Sequence, residues 1–211
     1  MKLRLVLISD THGLHRQIRV PDGDILVHAG DLTGHGRLEQ LVDLNDWLGE
    51  LPHRHKIIIA GNHDFCFERT RREAEARITK AVYLQDAAVT VEGVKIYGSA
   101  WQPRFMFWAF NLDRGAPLRT KWKRIPRDVD ILVTHGPPLG HGDLNFDQRS
   151  VGCEELLARL QKVQPRVHLF GHIHEGYGTT EDGATRMINA SICDLRYRPV
   201  NAPVVLDLEV R

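Results

Sequence analysis

The chain has 211 residues, enough to bury a substantial core, and its 28 basic and 27 acidic side chains leave a formal net charge of +1. So even a balance argues against the large cationic footprint that grips duplex nucleic acid, and leaves room for a small anion held by local positive charge. No apolar stretch approaches the ~20 residues of a membrane span, the opening run is too short for a secretory leader, and three widely spaced cysteines suggest no disulfide framework. The expectations are one domain over residues 1–211, a cytoplasmic location, and neither extended nucleic acid nor membrane as partner, with the oligomeric state left open.

In chain order, Lys2–Ile8 is an apolar, β-branched run that reads as a strand and stops at Ser9-Asp10. Residues 24–29 repeat the pattern before Gly30-Asp31, and helical periodicity over residues 38–51 puts Leu41, Leu44, Trp47, Leu48 and Leu51 on one face. A third strand over residues 56–60 ends at Gly61-Asn62-His63-Asp64, and a charged helix is expected over residues 69–81. Short strands follow at 89–91 and 94–97, then an aromatic, arginine-rich segment over 99–122. Residues 130–134 run into His135, a helix is expected from Ser150 to Val163 with Pro165 closing it, and Val167–Phe170 runs into Gly171-His172-Ile173-His174. Strands at 187–190 and 204–208 complete the reading.

Five near-continuous apolar strands, each followed at once by Asp, Asn or His, imply an α/β fold with a sheet covered on both faces and a site at the strand ends. Twelve histidines sharpen the point, because several recur at ligand spacing. The blocks are Asp10-x-His12, Gly30-Asp31, Gly61-Asn62-His63-Asp64, His135 and Gly171-His172-x-His174. Asp-x-His and Gly-Asp are common by chance; Gly-Asn-His-Asp is rare, and five blocks in order after five strands are specific. Carboxylate oxygen with imidazole nitrogen suits divalent first-row metals, and the absence of cysteine from the set disfavours a structural zinc site. Asp31, central in the order, is the carboxylate able to bridge two ions.

These blocks resemble the calcineurin-like metallophosphoesterase superfamily over Asp10 to His174. Phrases such as Val27-His28-Ala29-Gly30-Asp31, Thr134-His135-Gly136-Pro137-Pro138 and Gly171-His172-Ile173-His174-Glu175-Gly176-Tyr177 resemble its metallophosphoesterase-domain-containing (MPPED, brain-protein-like) subfamily. The resemblance implies a β-sandwich flanked by helices (αββα). It implies one metal held by Asp10, His12, Asp31 and His174, and a second by Asp31, Asn62, His135 and His172. His63 is the implied catalytic acid and Asp64 the residue that orients it. Two divalent transition-metal ions follow, manganese first, with iron, zinc, cobalt or nickel as alternatives.

The expected reaction is hydrolysis of small phosphodiesters, cyclic nucleotides and model diesters among them, by a hydroxide generated between the metals, with His63 protonating the leaving oxygen. Two divalent ions against two aspartates and a hydroxide leave a small positive charge, which suits a diester monoanion better than a monoester dianion. A phosphomonoesterase, a nuclease and a nucleotide-binding sensor with weak residual activity are the alternatives. Trp101, Arg104 and Trp108 are candidate substrate contacts, with Arg114 a further source of charge. His28 and His168 are expected in the core, His53 and His55 at the surface, and Cys66 as an inert buried thiol.

Overall fold

The structure, a computed structural model, describes residues 2–210. The strands in chain order are β1 (Lys2–Ile8), β2 (Ile25–His28), β3 (His55–Ile58), β4 (Val82–Tyr83), β5 (Ala87–Val91) and β6 (Val94–Ser99). After them come β7 (Gln102–Pro103), β8 (Asn111–Leu112), β9 (Ile131–Thr134), β10 (Val167–Phe170), β11 (Gly178–Asp182), β12 (Thr185–Asn189) and β13 (Val204–Glu209). The helices are α1 (Leu38–Glu50), α2 (Phe65–Arg69), α3 (Arg71–Arg77), α4 (Ala116–Trp122) and α5 (Glu154–Val163). One sheet has the order β13-β1-β2-β3-β4 and the other β11-β12-β10-β9-β6-β5, with β7 and β8 forming a separate small ribbon.

Alternation along each strand explains the layering. Leu3, Leu5 and Leu7 of β1, Ile25 and Val27 of β2, and Ile57 of β3 face inward, against Ile96, Ile131, Val133, Val167, Leu169 and Ile188 of the opposite sheet. The residues between them face outward: Val6, Ile8, Leu26 and Ile58 meet Leu41, Leu44, Trp47 and Leu48 of α1. On the far side, Leu132 and Phe170 meet Leu118 and Trp122 of α4 and Leu156 and Leu160 of α5. The four layers are therefore helix, sheet, sheet, helix, as the family resemblance implies. Each large apolar side chain removed from water in these layers contributes roughly 1.5–3 kcal/mol.

Three of the differences from the sequence reading have a local cause or bear on a named residue. The charged helix expected over residues 69–81 is the shorter α3, and the separate helix α2 ahead of it was not foreseen; Thr70 (φ −131°, ψ 48°) divides the two, its N–H donating to Cys66 O at 2.9 Å and its carbonyl starting α3. The helix expected from Ser150 starts at Glu154, since Ser150 is drawn into a bridge with Leu144. His53 is 2% exposed, not superficial.

His28 and His168 lie in the core, as expected from their strands, and both are fully buried. The Thr134 hydroxyl donates to Gly136 O at 2.8 Å and so accepts from His168 Nε2–H, also at 2.8 Å, which fixes the neutral tautomer. Burial pushes His28 and His168 down to about 3 from an ordinary 6.5. Above pH 6.5 both states hold these rings neutral and stability is complete; below it the unfolded chain takes up protons that the folded one refuses. We expect the free energy of urea unfolding to fall by roughly 1 kcal/mol per pH unit per histidine below pH 6.5. A flat profile across pH 6.5 to 4.5 would contradict this account.

Candidate metal centre

The five polar blocks sit on the turns that leave β1, β2, β3, β9 and β10, and parallel pairing carries all five to one edge of the sandwich. Asp10 (φ 53°), His12 (φ 47°), Asp31 (φ 52°) and His172 (φ 69°) lie in the left-handed region. Asp, Asn and His tolerate that conformation better than other side-chain-bearing residues. The same residue types thus satisfy both the turn and the chemistry.

Close backbone approach completes the turns. A Cβ at Gly61 would collide with Asp31 N and Oδ1, and one at Gly171 with Asp10 Oδ2 and Ser9 Oγ.

Asp31 lies at the centre. Its Oδ2 faces His135 Nε2 at 3.4 Å, His12 Nε2 at 3.7 Å and His63 Nε2 at 4.0 Å, while Oδ1 accepts the His63 N–H at 2.8 Å. Asp10 faces His174 Nε2 at 3.6 Å and His12 Nε2 at 4.0 Å. His12 and His174 bring their Nε2 atoms within 3.2 Å of each other. Asn62 Oδ1 sits 2.8 Å from His135 Nε2, and the His172 ring packs edge-on to His135 at 5.0 Å. Five of the seven expected ligands, Asp10, His12, Asp31, His135 and His174, together with His63 bring donor atoms from distant blocks into three clusters of acid and imidazole, each within 4.8 Å; Asn62 and His172 stand beside them against His135.

The ring orientations fit a metal. His135 Nδ1 donates to Ala29 O at 3.0 Å, His174 Nδ1 to Asp194 O at 2.9 Å and His63 Nδ1 to Gly34 O at 2.9 Å. With Nδ1 engaged by carbonyls, Nε2 is the atom each ring presents to the carboxylates, the usual support of a ligating histidine.

Charge points the same way. Burial would raise both carboxyls, but His174, His135 and His12 hold Asp10 well below the usual range, and His135, His12 and His63 do the same for Asp31. In return, and against burial, Asp31 holds His135 up at about 9 and Asp10 holds His174 up at about 9. Burial pushes His12 down to about 4 and His172 down to about 3. Two ionised carboxylates balanced by two extra protons make a site shaped for positive charge.

Asp64 does not orient His63. Its Oδ2 accepts from Leu32 N at 3.0 Å and Gly61 N at 2.8 Å, and its Oδ1 from Thr33 N at 2.9 Å and Thr33 Oγ1 at 2.7 Å. Burial and the Asp31 charge push it up to about 6. Its work is to tie the turn after β2 to the turn after β3, and the Gly34 carbonyl takes the orienting role instead. Trp101 is turned away from the cleft: its Nε1 donates to Asp86 at 3.1 Å and Lys121 sits over its ring at 4.0 Å. Arg104 is paired with Asp113 at 2.6 Å, on the wall of a neighbouring hollow. Trp108 does reach the cleft, stacking on His63 with ring centroids 4.2 Å apart.

Two residues escape the sequence reading. Ser191, on the turn after β12, donates to Asp10 Oδ2 at 2.7 Å. Tyr197 packs edge-on against His12 at 4.7 Å and His174 at 5.7 Å, closing one wall of a cavity of about 150 Å³. Neither received a role from the sequence: Ser191 follows the apolar strand over 187–190, and Tyr197 lies in the irregular chain beyond it.

A family model described as calcineurin-like phosphoesterase matches residues 3–176. Human metallophosphoesterase domain-containing protein 1 is 46% identical over 230 aligned residues, covering 97% of this chain and 71% of that protein. Among solved structures, TT1561 of Thermus thermophilus superposes with a TM-score of 0.62 at 16% identity over 100% of both chains. The phosphopantetheinyl hydrolase PptH of Mycobacterium tuberculosis gives 0.62 at 14% identity over 95% of both. At such identities the structural likeness speaks for the fold alone.

Because His135 and His174 hold protons to about 9, metal uptake at pH 7.5 must displace protons from both. Calorimetry in buffers of different ionisation enthalpy should show at least two protons released, one from each ring and any from bound water in addition, and apparent affinity should rise with pH up to about 9. Uptake without proton release would contradict the assignment of these rings as ligands.

Proposed function

The chain belongs to the calcineurin-like phosphoesterase family, and from that membership we propose that it hydrolyses small phosphodiesters, cyclic nucleotides among them, at a centre of two divalent ions. The observation that carries the reading is Asp31, whose Oδ2 is faced by three imidazole nitrogens from three separate turns at 3.4–4.0 Å. Asp10, His12, Asp31 and His174 would hold one ion, and Asp31, Asn62, His135 and His172 the other. When bound, the pair would supply Lewis-acid charge and an acidified water. Manganese is the first ion to test, with iron, zinc, cobalt and nickel beside it, because a mixed oxygen and imidazole set accepts divalent first-row metals.

The protein groups have distinct parts. His63 has Nδ1 engaged with Gly34 O, so Nε2 is the atom that hands a proton to the leaving oxygen. Trp108 stacked on its ring and Tyr197 beside it shield that nitrogen from bulk water and hold its orientation. The arginines weighed as partners for a monoester dianion are engaged elsewhere, Arg104 with Asp113 and Arg114 with the Val151 and Gly152 carbonyls at 2.8 Å. That supports a diester monoanion over a monoester. The three cysteines are free and buried, which supports a reducing compartment, the cytoplasm. No helix among the described residues is long and apolar enough to cross a membrane.

A manganese-reconstituted panel of nitrophenyl diesters, nitrophenyl monoesters and 2′,3′- and 3′,5′-cyclic nucleotides tests the substrate class. Diesters should exceed monoesters in kcat/KM by roughly tenfold or more; the reverse order would return the reading to a phosphomonoesterase. For the acid, His63→Ala should cost roughly 100- to 10,000-fold on alkyl diesters and far less on nitrophenyl diesters, whose leaving group needs no proton. Equal losses on both would remove His63 from proton transfer.

A further inference from the structure

Twelve large hydrophobic side chains stand exposed among the described residues, and six of them crowd around one opening. Phe105, Met106 and Phe107 form the tip of the loop between β7 and β8, Phe146 lies on the turn ahead of α5, and Leu195 and Tyr197 on the turn past β12. Phe107 is 96% exposed and Phe146 70%. All six line either the candidate metal cleft or one of two hollows that share walls with it, at Trp108 on one side and at His172 and Glu175 on the other.

The loop tip is held in place. Asn111 Nδ2 donates to Phe105 O and Met106 O at 3.1 Å, Asn111 Oδ1 accepts from Phe105 N, and the Phe110 N–H donates to Glu68 at 2.8 Å. Holding three consecutive apolar side chains outward from a braced loop exposes them to water with no return inside the molecule, which is the signature of a contact surface.

Charge distinguishes what the surface meets. Arg69, over the Phe65 ring at 4.4 Å, and Arg149 and Arg196 on the other two turns are exposed and lack any acidic partner within ion-pair distance among the described residues. Arg104 and Arg198, by contrast, are matched by Asp113 and Asp194. Glu175 and Asp147 offset part of this charge. A partner that is only apolar has no use for the free guanidinium groups, and a soluble polyanion has none for Phe107.

We propose that this rim seats the protein on an anionic phospholipid surface, with its apolar tips in the acyl boundary, its free arginines among the phosphates and the cleft facing the headgroups. The sequence excluded a membrane because nothing is long enough to span one; docking on a surface requires no span. Such an orientation brings phosphodiester headgroups to the candidate metal ligands, a consequence for substrate that rests on the phosphodiesterase reading, while docking itself does not. A hollow of about 330 Å³ between Phe105 and Phe146 leads from the rim to His172.

The test is co-sedimentation of the 211-residue protein with vesicles of phosphatidylcholine alone or mixed with phosphatidylglycerol, at low and high salt. Binding to the anionic vesicles alone, weakened by salt, is the expected result. The double variant Met106→Ser, Phe107→Ser should lower the partition coefficient roughly tenfold or more while hydrolysing a soluble model diester at the parental rate, which also shows that it folds. Three results would overturn the proposal: no sedimentation with anionic vesicles, binding unchanged in the double variant, or loss of a parental dimer on making it, which would name a second copy as the occupant. Failure of the parent to turn over soluble diesters would count against the activity and not against docking.

Discussion

Two carboxylates, Asp10 and Asp31, are buried side by side at the end of the first sheet, and the structure around them follows from that burial. Both are withdrawn from bulk water, so each needs positive charge or hydrogen-bond donors within a few ångströms. The donors come from the backbone of His172 and His63 and from Ser191, and the charge from the His135 and His174 imidazoles on the turns after β9 and β10. Parallel strands are what make that supply possible, because they deliver one turn after another to the same edge. The sandwich is the scaffold, and the electrostatic demand of two acids determines what must stand on it.

Much of this was legible in the residues. Strands that are apolar throughout declare themselves, and polar residues just past their ends declare the edge where they gather; Leu5, Ile25, Ile57, Ile131 and Leu169 all lie in the interior. The five polar blocks followed from residue type and spacing, since acid and imidazole at strand ends have few other reasons to recur, while their division between two ions came only with the family resemblance. What stayed hidden depends on the backbone. The partners of His63, His135 and His174 are carbonyls of Gly34, Ala29 and Asp194, and a carbonyl has no letter in a sequence. Asp64 was read as the partner of its neighbour in the motif when three of its four side-chain hydrogen bonds run to Leu32 and Thr33, some thirty positions earlier.

The aromatic segment shows the same boundary from another side. Trp101 and Trp108 are equivalent on paper, yet one is tied to Asp86 and Lys121 and the other stacks on His63. Six residues of mostly irregular chain lie between them, with no periodicity to say which way either faces. The polar strand β11 and the short helix α4 were missed for a related reason, because an edge strand such as Gly178–Asp182 and a helix within an aromatic run do not show the alternation that identifies buried elements.

Gly61 and Gly171 give the site a vulnerability that no inventory of ligands reveals. Each donates its missing side chain as room for a carboxylate oxygen, so the space itself is a component of the centre. A related chain could keep every acid, amide and imidazole and still be disarmed by a single methyl group at either place. Judging whether such a relative is active therefore requires reading its empty positions as carefully as its filled ones.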